Sequence, residues 1–166
     1  TERGAADRDL EAQEGHACIA WVEIRAGRQP GGEVLIVDVI GELFDLYSLA
    51  AVVYCGGSLV PKGGQNILEP AAWGKVVFYG PSMEDFIEEK ALLEEAGAGI
   101  CVRDERELLE GMKRVLSDPA ELRRRGAEGQ KRVLSSRGAA ERYAAMIVRT
   151  LGCRTRDASG KQDGPG

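Results

Sequence analysis

The sequence predicts an α/β domain in which a parallel sheet is covered by helices on both faces. Three observations carry that reading. Short apolar runs alternate along the chain with segments of helical periodicity, the order of strand–helix–strand units rather than of hairpins. Capping signals open several of the helical segments. Between Cys55 and Ile67 a loop with two glycine pairs, Gly56-Gly57 and Gly63-Gly64, joins an apolar run to a helical one. In open parallel sheets ligands bind outside the carboxyl ends of the strands, where such loops sit.

Taken in order, residues 1–15 are polar, charged and weakly patterned. The run Ala17-Cys18-Ile19-Ala20-Trp21-Val22 reads as a strand, and Arg25 to Gly32 as a loop turning at Gln29-Pro30-Gly31-Gly32. Val34-Leu35-Ile36-Val37 is predicted as a buried strand ending at Asp38. Gly41 to Ala50 has Leu43, Phe44, Leu46, Tyr47 and Leu49 near helical spacing. A buried strand over 51–55 and the glycine loop 56–65 come next, then a short helix over 66–73.

Lys75 to Tyr79 is the next strand, closed by Gly80-Pro81. Ser82 and Asp85 have the spacing of a capping box for a helix to about Ala96. A strand over 99–102 leads to a second box, Asp104 and Glu107. Asp118-Pro119 is a helix N-cap with proline at the first helical position. A last helical stripe runs from Arg137 to Leu151 through Ala140, Tyr143, Ala144, Ile147 and Val148. Residues 152–166 lack apolar pattern and are predicted to be disordered. The domain reading is therefore a partial or diverged start over 1–33, a ligand-binding domain over 34–151 and a tail over 152–166.

At 166 residues and 43% hydrophobic content, the chain has the size and composition of one soluble globular domain. A net charge of −5 argues against a phosphate-tracking duplex binder, and 5% aromatics against a base-stacking surface for single strands. The four cysteines, Cys18, Cys55, Cys101 and Cys153, are far apart and read as buried thiols rather than a disulfide or zinc framework. With His16 as the only histidine, neither a serine–histidine–aspartate site nor a zinc site can be assembled. No apolar stretch is long enough to span a bilayer. Arg123-Arg124-Arg125 reads as a solvated helix face.

The glycine loop, Gly56 to Gln65, is where a ligand phosphate is expected, because glycines let backbone N–H groups approach an anion. Asn66 and Glu69 have two readings: a capping box, or a carboxylate left to accept both hydroxyls of a ribose diol. Glu42 is accounted for by its place at a helix start, with Gly41 freeing backbone N–H groups before it. Lys62 either pairs with a phosphate or is solvated.

These residues resemble the C-terminal domain of 3-deoxy-D-manno-octulosonic acid (Kdo) transferases. The likeness runs from about Val34 to Leu151. It is carried by Asp38-Val39-Ile40-Gly41-Glu42-Leu43, Tyr47, Gly56-Gly57-Ser58-Leu59-Val60, Gly63-Gly64-Gln65-Asn66-Ile67-Leu68-Glu69-Pro70-Ala71-Ala72, and Gly80-Pro81 with Phe86. The resemblance implies the Rossmann-like C-terminal half of a GT-B glycosyltransferase with a helical C-terminal extension. It implies that Gly41, Glu42, Ser58, Gly63, Gly64, Gln65 and Asn66 wrap the nucleotide of the donor CMP-Kdo, and that Glu69 takes the ribose. No metal or further cofactor is implied. The lipid A precursor, the catalytic carboxylate and the membrane anchor would belong to an N-terminal half, at the cytoplasmic face of the bacterial inner membrane. This chain alone would then be soluble and inert, with no catalytic residue of its own.

The sequence departs from the pattern at Val39-Ile40 (commonly Thr-Met), at Gln65 (commonly histidine) and at Asp85 (commonly asparagine); an upstream Pro-Arg-His segment is not recognisable. Two other readings use the same loop. One is the donor domain of a GT-B glycosyltransferase or epimerase acting on a UDP-sugar; the other is a non-catalytic interaction module that kept the fold.

Overall fold

The computed structural model describes residues 16–29, 31 and 34–136. The ragged start over 1–15, the stripe from Arg137 to Leu151 and the tail over 152–166 lie outside the described residues. The chain divides into two compact units, Thr1–Ser48 and Leu49–Gly166.

In the first unit, β1 (Cys18–Ala20) pairs in parallel with β2 (Val34–Ile36), Ile19 opposite Leu35. The strand predicted through Val22 stops two residues early: Trp21–Arg25 is a helix, α1. Glu23 turns the chain there, accepting the Ala20 N–H at 3.0 Å and pairing with Arg28 at 2.7 Å. Leu35 is 41% exposed, so β2 is not the buried strand its apolar run predicted. A strand covered on one face only puts every second side chain toward solvent. The helix expected over 41–50 is a single turn, α2 (Leu43–Leu46), followed by a 3₁₀ turn over Tyr47–Leu49.

The second unit holds a three-stranded parallel sheet in the order β3 (Val52–Tyr54), β4 (Val76–Tyr79), β5 (Gly99–Cys101). The central strand β4 is buried at every residue, whereas the edge strand β3 is half-buried. Its alternate side chains build two cores. Val77 and Tyr79 pack with Ile67, Ala71, Met83, Leu93 and Val133, beneath α3 (Leu68–Ala72), α4 (Ile87–Glu95) and the helix over 119–136, α6. Val76 and Phe78 pack with Val102 and Val115, beneath α5 (Glu105–Leu116). Helices thus cover both faces, as the alternation predicted.

Asp104 and Asp118 each cap a helix, but the box expected at Asp104 is half made, since Glu107 Oε2 accepts the Arg103 N–H at 2.9 Å and not that of Asp104. Asp104 Oδ1 accepts the Glu107 N–H at 2.8 Å, and Asp118 Oδ1 accepts the Ala120 and Glu121 N–H groups at 3.1 and 3.0 Å. α6 is held by close backbone contact, because a Cβ at Gly126 would overlap the Gly74 carbonyl, and by Gln130 Nε2 donating to the Ala72 carbonyl at 2.7 Å. The arginine run is only partly a solvated face: Arg124 and Arg125 both bond Glu121, and Arg125 also reaches the Gly97 carbonyl. Among the cysteines, Cys55 is buried and Cys18 half-buried, but Cys101 is exposed at the edge strand, against expectation. Among the described residues, no helix is long and apolar enough to cross a membrane.

Candidate functional site

In the second unit the glycine loop leaves the carboxyl end of β3 and enters α3, as the sequence placed it. Its shape depends on left-handed backbone. Gly57, Gly63 and Gly64 have φ of 76°, 77° and 73°, a region that costs an L-residue about 1–2 kcal/mol. The tandem Gly63-Gly64 folds the chain so closely onto the segment 82–85 that a Cβ at Gly64 would overlap the Met83 thioether, and one at Gly63 would lie 3.0 Å from Asp85 Oδ2.

Three side chains fix the loop. Ser58 is 0% exposed; its hydroxyl donates to the Cys55 carbonyl and accepts the Gly80 N–H at 2.8 Å, stapling the end of β3 to the end of β4. The Cys55 sulfur accepts the Gln65 N–H at 3.1 Å and faces the Gln65 and Gly56 carbonyls at 3.6 and 3.8 Å. Burial pushes the Cys55 thiol pKa up, so the sulfur stays protonated and neutral, with the Gln65 N–H opposing that shift weakly. Ser82 Oγ accepts the Gly63 N–H at 3.1 Å and donates to Glu84 Oε2 at 2.9 Å.

This corrects the sequence reading in three places. The N–H groups of Gly63 and Gln65, expected to face an anion, are already taken by Ser82 and Cys55. Ser58 is enclosed, so its side chain holds the loop and does not face a ligand. Ser82 does not cap a helix with Asp85: a 3₁₀ turn over Glu84–Phe86 precedes α4, and no side chain caps either. A backbone group inside a fold must find a partner, and here the partners are a thiol and a hydroxyl distant in sequence. Cys55 and Ser82 are the site residues that sequence reasoning missed.

What the loop leaves exposed are the Gln65 and Asn66 side chains, with Glu69 half-buried beside them. Asn66 Oδ1 accepts the Leu68 N–H at 3.0 Å and its amide donates to Glu69 Oε1 at 3.2 Å. The two residues are therefore linked side chain to side chain, without the reciprocal bond from Glu69 to the Asn66 backbone that a capping box requires. Lys62 is exposed next to Gly63.

The other candidate pair lies in the first unit, in the loop after β2. Gly41 is exposed and left-handed, with φ 93°. Glu42 is half-buried and doubly engaged: it accepts from Trp21 Nε1 at 2.6 Å and pairs with Arg25. Its charge is thus balanced by α1, which tryptophan and arginine four positions apart on one helix face make possible. Among the described residues no group of three histidine, cysteine or acidic side chains could share a metal ion.

No protein-family model matches the chain. In sequence it is similar to 3-deoxy-D-manno-octulosonic acid transferases. It is 39% identical over 92 residues to that of Aquifex aeolicus, covering 55% of this chain and 26% of the relative. It is 33% identical over 116 residues to that of Haemophilus influenzae, covering 69% of this chain and 27% of the relative. It is 34% identical over 115 residues to that of Bordetella pertussis, covering 68% of this chain and 27% of the relative. The chain spans about a quarter of the length of these relatives. In fold it is similar to the crystal structure of the C-terminal CMP-Kdo binding domain of WaaA from Acinetobacter baumannii. The TM-score is 0.71 at 24% identity, over 80% of this chain and 68% of that one. The chain is thus a homologue of the 3-deoxy-D-manno-octulosonic acid transferases, which are glycosyltransferases, and has a Rossmann-like parallel α/β fold like that of the solved C-terminal domain.

Proposed function

We propose that this chain is the donor-binding part of a Kdo transferase and seats CMP-Kdo on the glycine loop. The observation that carries the reading is the side-chain arrangement at the loop's exit: Gln65 and Asn66 exposed, with Glu69 held beside them by Asn66. Glu69 has a second carboxylate oxygen for a ribose hydroxyl. Gln65 and Asn66 supply neutral donors and acceptors, and Lys62 a charge, to the phosphate and sugar. Because Cys55, Ser58 and Ser82 already satisfy the loop's inner groups, the site needs little reorganisation to receive a ligand.

The parent reaction is displacement at the anomeric carbon of Kdo by an acceptor hydroxyl, with CMP leaving. The acceptor, a lipid A precursor, and the general base belong to the remaining part of the enzyme, at the cytoplasmic face of the inner membrane. The chain's own part is to bind and orient the donor and to hold the departing phosphate among fixed dipoles. On its own it transfers no Kdo, and turnover of CMP-Kdo by this polypeptide alone would refute that statement.

Calorimetric titration with CMP and UDP tests the donor. CMP is expected to bind and UDP to bind at least tenfold more weakly. Preference for UDP would move the reading to a UDP-sugar enzyme. The third reading, an interaction module without ligand, is favoured by one observation, the engagement of Glu42 with Trp21 and Arg25; it predicts no heat with either nucleotide.

A further inference from the structure

We infer that Asp85 is a specificity-determining residue of the glycine-loop site and makes it discriminate against a second phosphate. The inference rests on the donor-site reading above. Its starting point is a contact: Asp85 Oδ2 stands 3.0 Å from the position a Cβ would take on Gly63, so the carboxylate lies directly against the turn of the loop. Asp85 is exposed, and no hydrogen bond or ion pair within the described residues offsets its charge. Glu84 is one hydrogen bond further from the same turn, through Ser82 Oγ, which holds the Gly63 N–H. Glu69 stands at the loop's exit, bonded to neutral Asn66.

Against these three carboxylates, the loop itself offers one cation, Lys62. The local field is therefore negative, and the N–H groups of Gly63 and Gln65, which would counter it, already serve side chains. A phosphate group and a neutral ribose are tolerated in such a field, especially with Glu69 spent on the ribose. Each additional phosphate charge within a few ångströms of Asp85 is repelled. Because Asp85 is exposed, the dielectric of water applies, and at about 3–6 Å that repulsion amounts to roughly a three- to tenfold change in affinity per unit charge, which salt screens. A second phosphate at this turn is thus disfavoured by Asp85 and Glu84, independently of how the base is read.

The experiment uses CMP and CDP, which share base and ribose, on the whole chain and on Asp85→Asn, with Glu88→Gln on the exposed face of α4 as a charge control. In the unaltered chain CMP binds more tightly than CDP. Asp85→Asn should strengthen CDP by about three- to tenfold more than CMP, and that gain should shrink in about 0.5 M salt. Because the readout is a ratio of two ligands on one protein, any loss of loop stability cancels. An unchanged ratio in Asp85→Asn, or an equal change in Glu88→Gln, overturns the inference while leaving CMP binding intact. If neither nucleotide binds the unaltered chain or Asp85→Asn, the donor-site reading itself fails, and the inference with it.

Discussion

Replacing Ser58 by alanine separates a residue that shapes the glycine loop from one that touches a ligand. The hydroxyl is fully buried and makes two bonds, donating to the Cys55 carbonyl and accepting the Gly80 N–H at 2.8 Å. Ser58→Ala leaves the buried Gly80 N–H without a partner, which costs about 1–3 kcal/mol, with a smaller share from the lost bond to Cys55. No solvent can replace the hydroxyl readily, since the space around Gly80 is so tight that a Cβ there would overlap the Ser58 carbonyl and the Leu59 nitrogen. For a unit of this size the expected fall in Tm is roughly 5–15 °C. Urea unfolding followed by circular dichroism reads the change as a lower midpoint at unchanged slope. Gly80→Ala attacks the same staple from the opposite side and should destabilise by about 1–3 kcal/mol, and the double variant should lose less than the sum of the two. The reasoning is refuted if Ser58→Ala keeps its unfolding free energy within about 0.5 kcal/mol of the parent yet loses CMP affinity, the signature of a direct ligand contact.

Two further outcomes are expected. Gly64→Ala forces a left-handed backbone on an L-residue, costing about 1–2 kcal/mol, and displaces Met83; calorimetry should show CMP binding weakened at least tenfold in a chain that still folds. Glu121 is hydrogen-bonded by Arg124 and Arg125, which hold its pKa down at about 2, below the usual 4.5. A folded-state pKa lowered in this way adds stability that is full above the unfolded value and is lost as pH falls from about 4.5 toward 2. The midpoint gap between the parent chain and Glu121→Gln should therefore be widest near neutral pH and close through that acid window; a gap independent of pH would contradict the assignment.

Much of the second unit was legible because its signals are local. Val76–Tyr79 is an unbroken apolar run between Gly74-Lys75 and Gly80, and it is the buried central strand. Asp104 and Asp118 carry their caps within three residues of themselves, so spacing alone located them. What spacing could not locate were bonds between distant segments. Ser82 has the spacing of a cap, yet its hydroxyl turns to Gly63, nineteen positions away. Cys55 looks like any small buried residue, and only the return of the chain at Gln65 gives its sulfur a partner.

The same limit misled the first unit. Trp21 and Val22 continue an apolar run and read as strand, but Glu23 takes the Ala20 N–H and turns the chain into α1. Glu42 was legible as an acid at a helix start, and it is the N-cap of α2; its bonds to Trp21 and Arg25 needed the fold. The glycine pairs read as letting backbone N–H groups approach an anion. In the fold the left-handed turns at Gly63 and Gly64 bring the loop against Met83 and Asp85, and Ser82 and Cys55 take the Gly63 and Gln65 amides.

The central claim is that the stretch Gly63 to Glu69 is the seat of a nucleotide. Amide hydrogen exchange of the chain with and without saturating CMP addresses it directly. The account predicts slowed exchange concentrated in residues 63–69, since ligand binding to the folded state stabilises it by mass action and protects most where the ligand sits. Slowed exchange confined to segments outside the loop, or an unchanged pattern at saturating CMP, would contradict it.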